Sequence, residues 1–222
     1  MKKRNALITG ASRGIGLAIA DCLKKQGINI LAPSRRELNL LCEDSINDYL
    51  ASLKCPVDIL VNNAGINVLG SIKDLTEQSI GETMQINLLA PLKMIRKIAP
   101  QMISRKYGRI VNIGSIWGLI TKPGRITYTL TKAGLGGLTR SMAVELAVYN
   151  VLVNCVAPGY VNTEMTKANN TKKEIQRIKN TIPLQRLGEP SEVAELVSFL
   201  CSDKNTYITG QTIAIDGGYL CV

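Results

Sequence analysis

The sequence contains no histidine among its 222 residues. That excludes Ser-His and Cys-His nucleophilic catalysis, imidazole proton shuttles and His-bearing zinc sites. Acid–base chemistry must then come from Tyr, Lys, Asp, Glu or Cys. Aromatic residues make up only 4%, and no RNA-binding aromatic motif or zinc-finger spacing occurs. No apolar run approaches the roughly 18 residues of a membrane-crossing helix. The six cysteines, Cys22, Cys42, Cys55, Cys155, Cys201 and Cys221, include no Cys-x-x-Cys pair. They read as buried thiols of a reducing cytoplasm, not as a disulfide frame or a metal site. Met1-Lys2-Lys3-Arg4 has the charge of a signal-peptide start. The apolar run after it is only Ala6-Leu7-Ile8, which reads as a first strand.

Acidic residues are also scarce, 17 against 27 Lys and Arg, for a net charge of +10. Such an excess is compatible with nucleic acid, an anionic membrane or an acidic partner. The cations are spread along the chain, so a lysine-rich surface that aids solubility is favoured over a nucleic-acid role. Hydrophobic residues reach 45%, enough for a folded core, and the length suits one domain over residues 1–222.

Strand-like and helical patterns alternate. Apolar strands are expected at 6–9, 28–32, 57–61, 109–113, 151–156 and 211–215. Amphipathic or apolar helices are expected at 14–27, 43–53, 76–104 (bent near Pro91 and Pro100), 126–149 and 190–201. Residues 163–180 are polar and basic without a clear core face. Fully apolar strands alternating with helices imply an α/β fold, one doubly wound parallel sheet covered on both faces.

Three motifs carry chemistry. Thr9-Gly10-Ala-Ser12-Arg13-Gly14-Ile15-Gly16 joins the first strand to the first helix. Glycines there allow a sharp turn, close approach of a pyrophosphate, and packing of helix on strand. The phosphate then meets a helix N-terminus. Tyr128 and Lys132 lie four apart on a predicted helix and share a face. A phenol has a pKa near 10; a close ammonium favours its anion and brings it toward a value useful in general acid catalysis. A buried Tyr beside a surface Lys is the plainer alternative. Ser115 stands thirteen residues before Tyr128.

The Gly-x-x-x-Gly-x-Gly spacing, Asn62-Asn63-Ala64-Gly65, Asn87, Ser115, Tyr128-x-x-x-Lys132 and Pro158-Gly159-Tyr-Val161-Asn-Thr163 occur in order. Together they resemble the short-chain dehydrogenase/reductase family. The closing Tyr207-Ile-Thr-Gly210 and Asp216-Gly217-Gly218 look most like its bacterial 3-oxoacyl-carrier-protein reductases. The resemblance implies hydride transfer to a ketone. Ser115 would bind the carbonyl, Tyr128 protonate it, and Lys132 tune the phenol and hold the nicotinamide ribose. Asn87 would anchor a water in a relay to Lys132. It also implies cofactor contacts from Asn63, Ala64, Gly65, Ile113, Pro158, Gly159, Val161 and Thr163.

The second strand ends Leu31-Ala32-Pro33-Ser34-Arg35-Arg36 without the acid that would bind a ribose 2′-OH. With Arg13 nearby, this favours NADP(H) over NAD(H), since Arg presents a fork of donors to phosphate. Solvated loop charge is the alternative. Only residues 34–36 separate that strand from 37–41, the segment that resembles the family's third strand. A parallel crossover needs about a dozen residues. Three span only about 10 Å, against a strand of about 17 Å. The third strand is therefore expected to be lost or reduced, leaving order 2-1-4-5-6-7 in family labels. Asn39 and Leu40 could still cover the adenine.

Residues 160–186 fall where the family has a substrate lid. Lys167, Lys172, Lys173, Arg177, Lys179 and Arg186 face two carboxylates, Glu164 and Glu174. The excess would steer an anionic substrate or an acidic carrier protein, or else is solvated charge. Carrier docking in the related reductases would place basic residues at Arg105–Lys106 and at Tyr149, and the latter is not basic. The expected substrate is a small or carrier-linked ketone. A ketone from surface-sugar or secondary metabolism, and a non-catalytic nucleotide-sensing or interaction protein, are the alternatives. The resemblance also implies a homo-oligomer, dimer or tetramer, assembled through the apolar 193–200 helix and the C-terminus.

Overall fold

The computed structural model describes residues 4–222, so Met1–Lys3 of the signal-like start lie outside the described residues. Six parallel strands form one sheet: β1 Asn5–Ile8, β2 Asn29–Leu31, β3 Ile59–Asn62, β4 Gly108–Ile113, β5 Val151–Pro158 and β6 Thr212–Ile215. Their order is β2-β1-β3-β4-β5-β6. The chain winds outward from β1 in both directions, so the carboxyl ends of β1 and β3 flank a topological switch point. Ligands of open parallel sheets bind at such points.

Alternation along the strands divides the core between the two faces. Ala6, Ile8, Ile59 and Val61 meet α1 (Gly14–Lys25) and α8 (Pro190–Cys201) through Ile19, Leu23, Val193 and Val197. Leu7, Leu60, Ile110 and Val153 face α2 (Glu43–Ser52), α4 (Ala90–Arg105) and α5 (Ile126–Leu146), through Ile46, Met94, Met102 and Ala143. Val193, Ala194, Val197 and Leu200 of α8, in the segment read as a candidate interface, pack in the chain's own core, while Phe199 stays exposed. Cys155 and Cys201 are buried as expected, whereas Cys42 and Cys221 are exposed.

No strand forms at 37–41. Residues 35–37 make a turn, Leu38 drops into the core, and Asn39 binds the start of α2 by donating its N–H to Ser45 Oγ at 2.9 Å. The short connection has the consequence expected from its length. In the long helical region, α3 (Glu77–Met84) passes into α4 through a π turn at Gln85–Leu89. The break in hydrogen bonding therefore lies at 85–89, around Asn87, and α4 runs unbroken through Pro91 and Pro100. The polar segment becomes two short helices, α6 Glu164–Ala168 and α7 Lys172–Thr181. Among the described residues no helix is long and apolar enough to cross a membrane.

Candidate active site

The glycine turn leaves β1 with Gly10 at φ +66°, a conformation that disfavours side chains. Gly16 is required for another reason. A Cβ there would stand 2.3 Å from the Gly10 carbonyl oxygen and 2.4 Å from Asn63 Nδ2. Asn63 Nδ2 donates to the carbonyls of Thr9 and Gly10 at 2.9 and 3.0 Å, and Thr9 Oγ1 accepts from the Asn63 and Ala64 N–H groups. The turn is therefore clamped to the end of β3. Asn63 makes this clamp and, with Ala64 and Gly65, lines the cleft. The first turn of α1 has no side-chain cap and no acid. Its free N–H groups and positive dipole end suit a phosphate.

A cleft of about 630 Å³ runs from this turn over the carboxyl ends of the strands. Gly10, Ser12, Arg13, Gly14, Ile15 and Gly16 line one end, with Ser34, Arg35, Asn39 and Leu40. Ile113, Ser115, Tyr128 and Lys132 line the other, with Pro158, Gly159, Val161 and Thr163. A dinucleotide is the group such a cradle fits.

At the other end, Ser115 follows β4 and caps a 3-10 turn, its Oγ accepting from Trp117 N–H at 3.2 Å. Its hydroxyl stands beside the half-buried Tyr128 phenol. Burial raises the phenol above its ordinary value, and the Ser115 hydroxyl and the Arg125 charge oppose that rise. Lys132 is buried. Its Nζ donates to the Ile113 carbonyl at 2.7 Å and lies 5.6 Å from the centre of the Tyr128 ring. Burial lowers Lys132 to about 8. The lysine was expected to lower the phenol. The cation that acts on Tyr128 is instead Arg125, and the net shift is upward, because burial outweighs it.

A family model described as enoyl-(acyl carrier protein) reductase matches residues 41–220. The chain is 39% identical to the 3-oxoacyl-(acyl-carrier-protein) reductase FabG of Aquifex aeolicus, over 96% of each chain. It is 40% identical to nodulation protein G of Rhizobium meliloti, over 97% of this chain and 96% of that one. A 4-hydroxyisoleucine dehydrogenase complexed with NADH superposes with a TM-score of 0.94, at 29% identity and over 99% and 100% of the two chains. The chain belongs to the short-chain dehydrogenase/reductase family. It is an NAD(P)-dependent oxidoreductase.

In this short-chain dehydrogenase/reductase, Asn87 sits inside the π turn and clasps the Ile66 backbone. It donates to the carbonyl at 2.8 Å and accepts from the N–H at 2.9 Å, with a further bond to Thr131 Oγ1. It makes no direct bond to Lys132, although both border the space above Gly65. Arg13 is ion-paired with Glu164 of α6. Glu37 turns its carboxylate back to the Ser34 N–H at 2.8 Å. Arg105, a candidate docking residue, is engaged internally with Val57 O, Asp58 and Gln101. Arg125 and Trp117 line the cleft and were not singled out from the sequence. The one available signal was a basic residue three before Tyr128.

Proposed function

We propose that the chain reduces a ketone with NADPH, Tyr128 serving as general acid. The observation that carries this reading is the meeting of Ser115, Tyr128 and Lys132 in the cleft that begins at the glycine turn. When bound, the dinucleotide supplies the hydride. The Ser115 and Tyr128 hydroxyls bind the carbonyl oxygen. Tyr128, held above its ordinary value by burial, keeps its proton at neutral pH and can donate it there. Lys132 holds the carboxyl end of β4 through Ile113 and offers a cation to the ribose. Asn87 positions the Ile66 segment that faces it.

Preference for NADP(H) is supported by Arg13 and Arg35 at the cleft wall and by the lack of an acid at the end of β2, where Ser34 and Arg35 line the cleft. Glu37 is turned to Ser34 and does not line the cleft.

The relatives support a 3-oxoacyl substrate on a carrier protein. A free ketone is the second reading. It is favoured because Arg105 is bound within the chain and the other docking position is Tyr149. The free thiols fit a cytoplasmic enzyme, and a homo-oligomer is retained as the assembly.

The test is Tyr128→Phe assayed on a ketone panel with NADPH and NADH in parallel. The variant should lose about 10³-fold in kcat while NADPH binding is unchanged. Undiminished turnover would remove Tyr128 as the acid, and equal use of NADH would remove the cofactor preference.

A further inference from the structure

Arg125 is the N-cap of α5, three residues before Tyr128. It is only 5% exposed and lines the same cleft as Ser115, Tyr128 and Lys132. Its guanidinium lies 4.8 Å from the centre of the Trp117 ring. Among the described residues, no carboxylate pairs with it, and its enclosed Nε has no hydrogen-bond partner.

Glu164, which lines the same cleft, is ion-paired with Arg13 instead. Trp117, Tyr160 and Tyr219 pack edge to face, with ring centres 5.6 to 6.2 Å apart. A second cation, Lys122, closes the group by donating to Tyr160 Oη at 3.0 Å. Glu174 of α7 bears on Lys122, and it is itself held by the Thr171 cap. A buried charge without a partner is costly. Stacking on Trp117 offsets part of that cost but gives the fork of N–H donors nothing to bind. The planar fork matches the two oxygens of a carboxylate.

We propose that Arg125 is a specificity-determining residue that receives a carboxylate carried by the substrate itself, so that the ketone reduced at Ser115 and Tyr128 belongs to a small oxo acid. This rests on the ketone-reductase reading above. A 3-oxoacyl thioester has no charge near its ketone and would leave the guanidinium unmatched. A small oxo acid brings the anion into the cleft together with the reacting carbonyl, which fixes the orientation of the substrate as well as its class.

The experiment compares 2-, 3- and 4-oxo acids with their primary amides, using NADPH. At least one acid should exceed its amide by about 100-fold in kcat/KM, the size expected when a buried charge loses its partner. Arg125→Met should abolish that preference: the rate on the acid should fall by about 100-fold more than the rate on the amide, which loses only the influence of Arg125 on Tyr128. Arg125→Lys should retain part of it. Amides as good as the acids, or an equal fall on both in Arg125→Met, would overturn the assignment. If no ketone is turned over, the reductase reading fails and the carboxylate site is judged separately. Trp117 is the only tryptophan, so its emission is then followed while glutarate is titrated into the NADP⁺-loaded protein. A saturable change that is lost in Arg125→Met supports the site, and a flat titration overturns it.

Discussion

Arg13 in the glycine turn is ion-paired with Glu164 at the head of α6, so the cofactor cradle and the polar segment beyond β5 are joined by a surface charge pair. Both side chains are mostly exposed, and such pairs are weak and easily exchanged. A ribose 2′-phosphate and Glu164 would compete for the same guanidinium. Glu164→Gln should therefore lower KM for NADPH about two- to fivefold and leave KM for NADH unchanged. Steady-state kinetics with both cofactors checks this. Equal shifts would mean that Arg13 does not meet the phosphate.

The buried ammonium of Lys132 carries a pH signature. Its value falls from 10.5 to about 8 on folding. Between those values the unfolded chain holds the proton and the folded chain releases it, so stability rises with pH. Below about pH 8 both states are protonated, and the full cost of the buried charge is present. The melting temperature of the dinucleotide-free protein minus that of Lys132→Met should rise from pH 8 to 10.5. The gain should be on the order of 3 kcal/mol. A difference that stays flat with pH would mean that the ammonium is better solvated than its burial implies.

Gly16 leaves no room for a methyl group, because both close neighbours belong to the clamp between β1 and β3. Gly16→Ala should cost about 1–3 kcal/mol in stability and weaken NADPH binding at least tenfold. Denaturant unfolding and fluorescence titration measure the two effects. Loss of stability with intact binding would separate the clamp from the cofactor site.

The basic helix α7 presents Lys172, Lys173, Arg177 and Lys179. If these steer an anionic substrate, kcat/KM should fall steeply with ionic strength while kcat holds. Replacing Lys172 and Lys173 by Gln should flatten that dependence. A salt profile already flat in the parent protein would identify them as solvated surface.

The strands and their order were legible because each is a short, wholly apolar run, and because chain length limits what 34–36 can connect. Gly10 and Gly16 were legible from their place between the first strand and the first helix, and Ser115, Tyr128 and Lys132 from the ordered motifs that resemble the family. The partners of those residues were not. That Arg13 meets Glu164, or that Arg105 turns inward to Asp58, depends on side chains distant in sequence. Arg125 was overlooked because its interest lies in the absence of an acid nearby, which only folding discloses. Proline drew attention to the wrong part of the long helical region. The amide of Asn87, which needs both of its bonds to Ile66, lies instead within the π turn.

The missing third strand also changes what the sheet shows to other molecules. With nothing beyond it, β2 becomes the outermost strand, and only Asn29–Leu31 are extended there. A long, flat border would offer a row of unpaired N–H and C=O groups as a template for runaway pairing between chains. Three residues offer very little, so the shortened connection protects against aggregation on the side where the sheet was cut back.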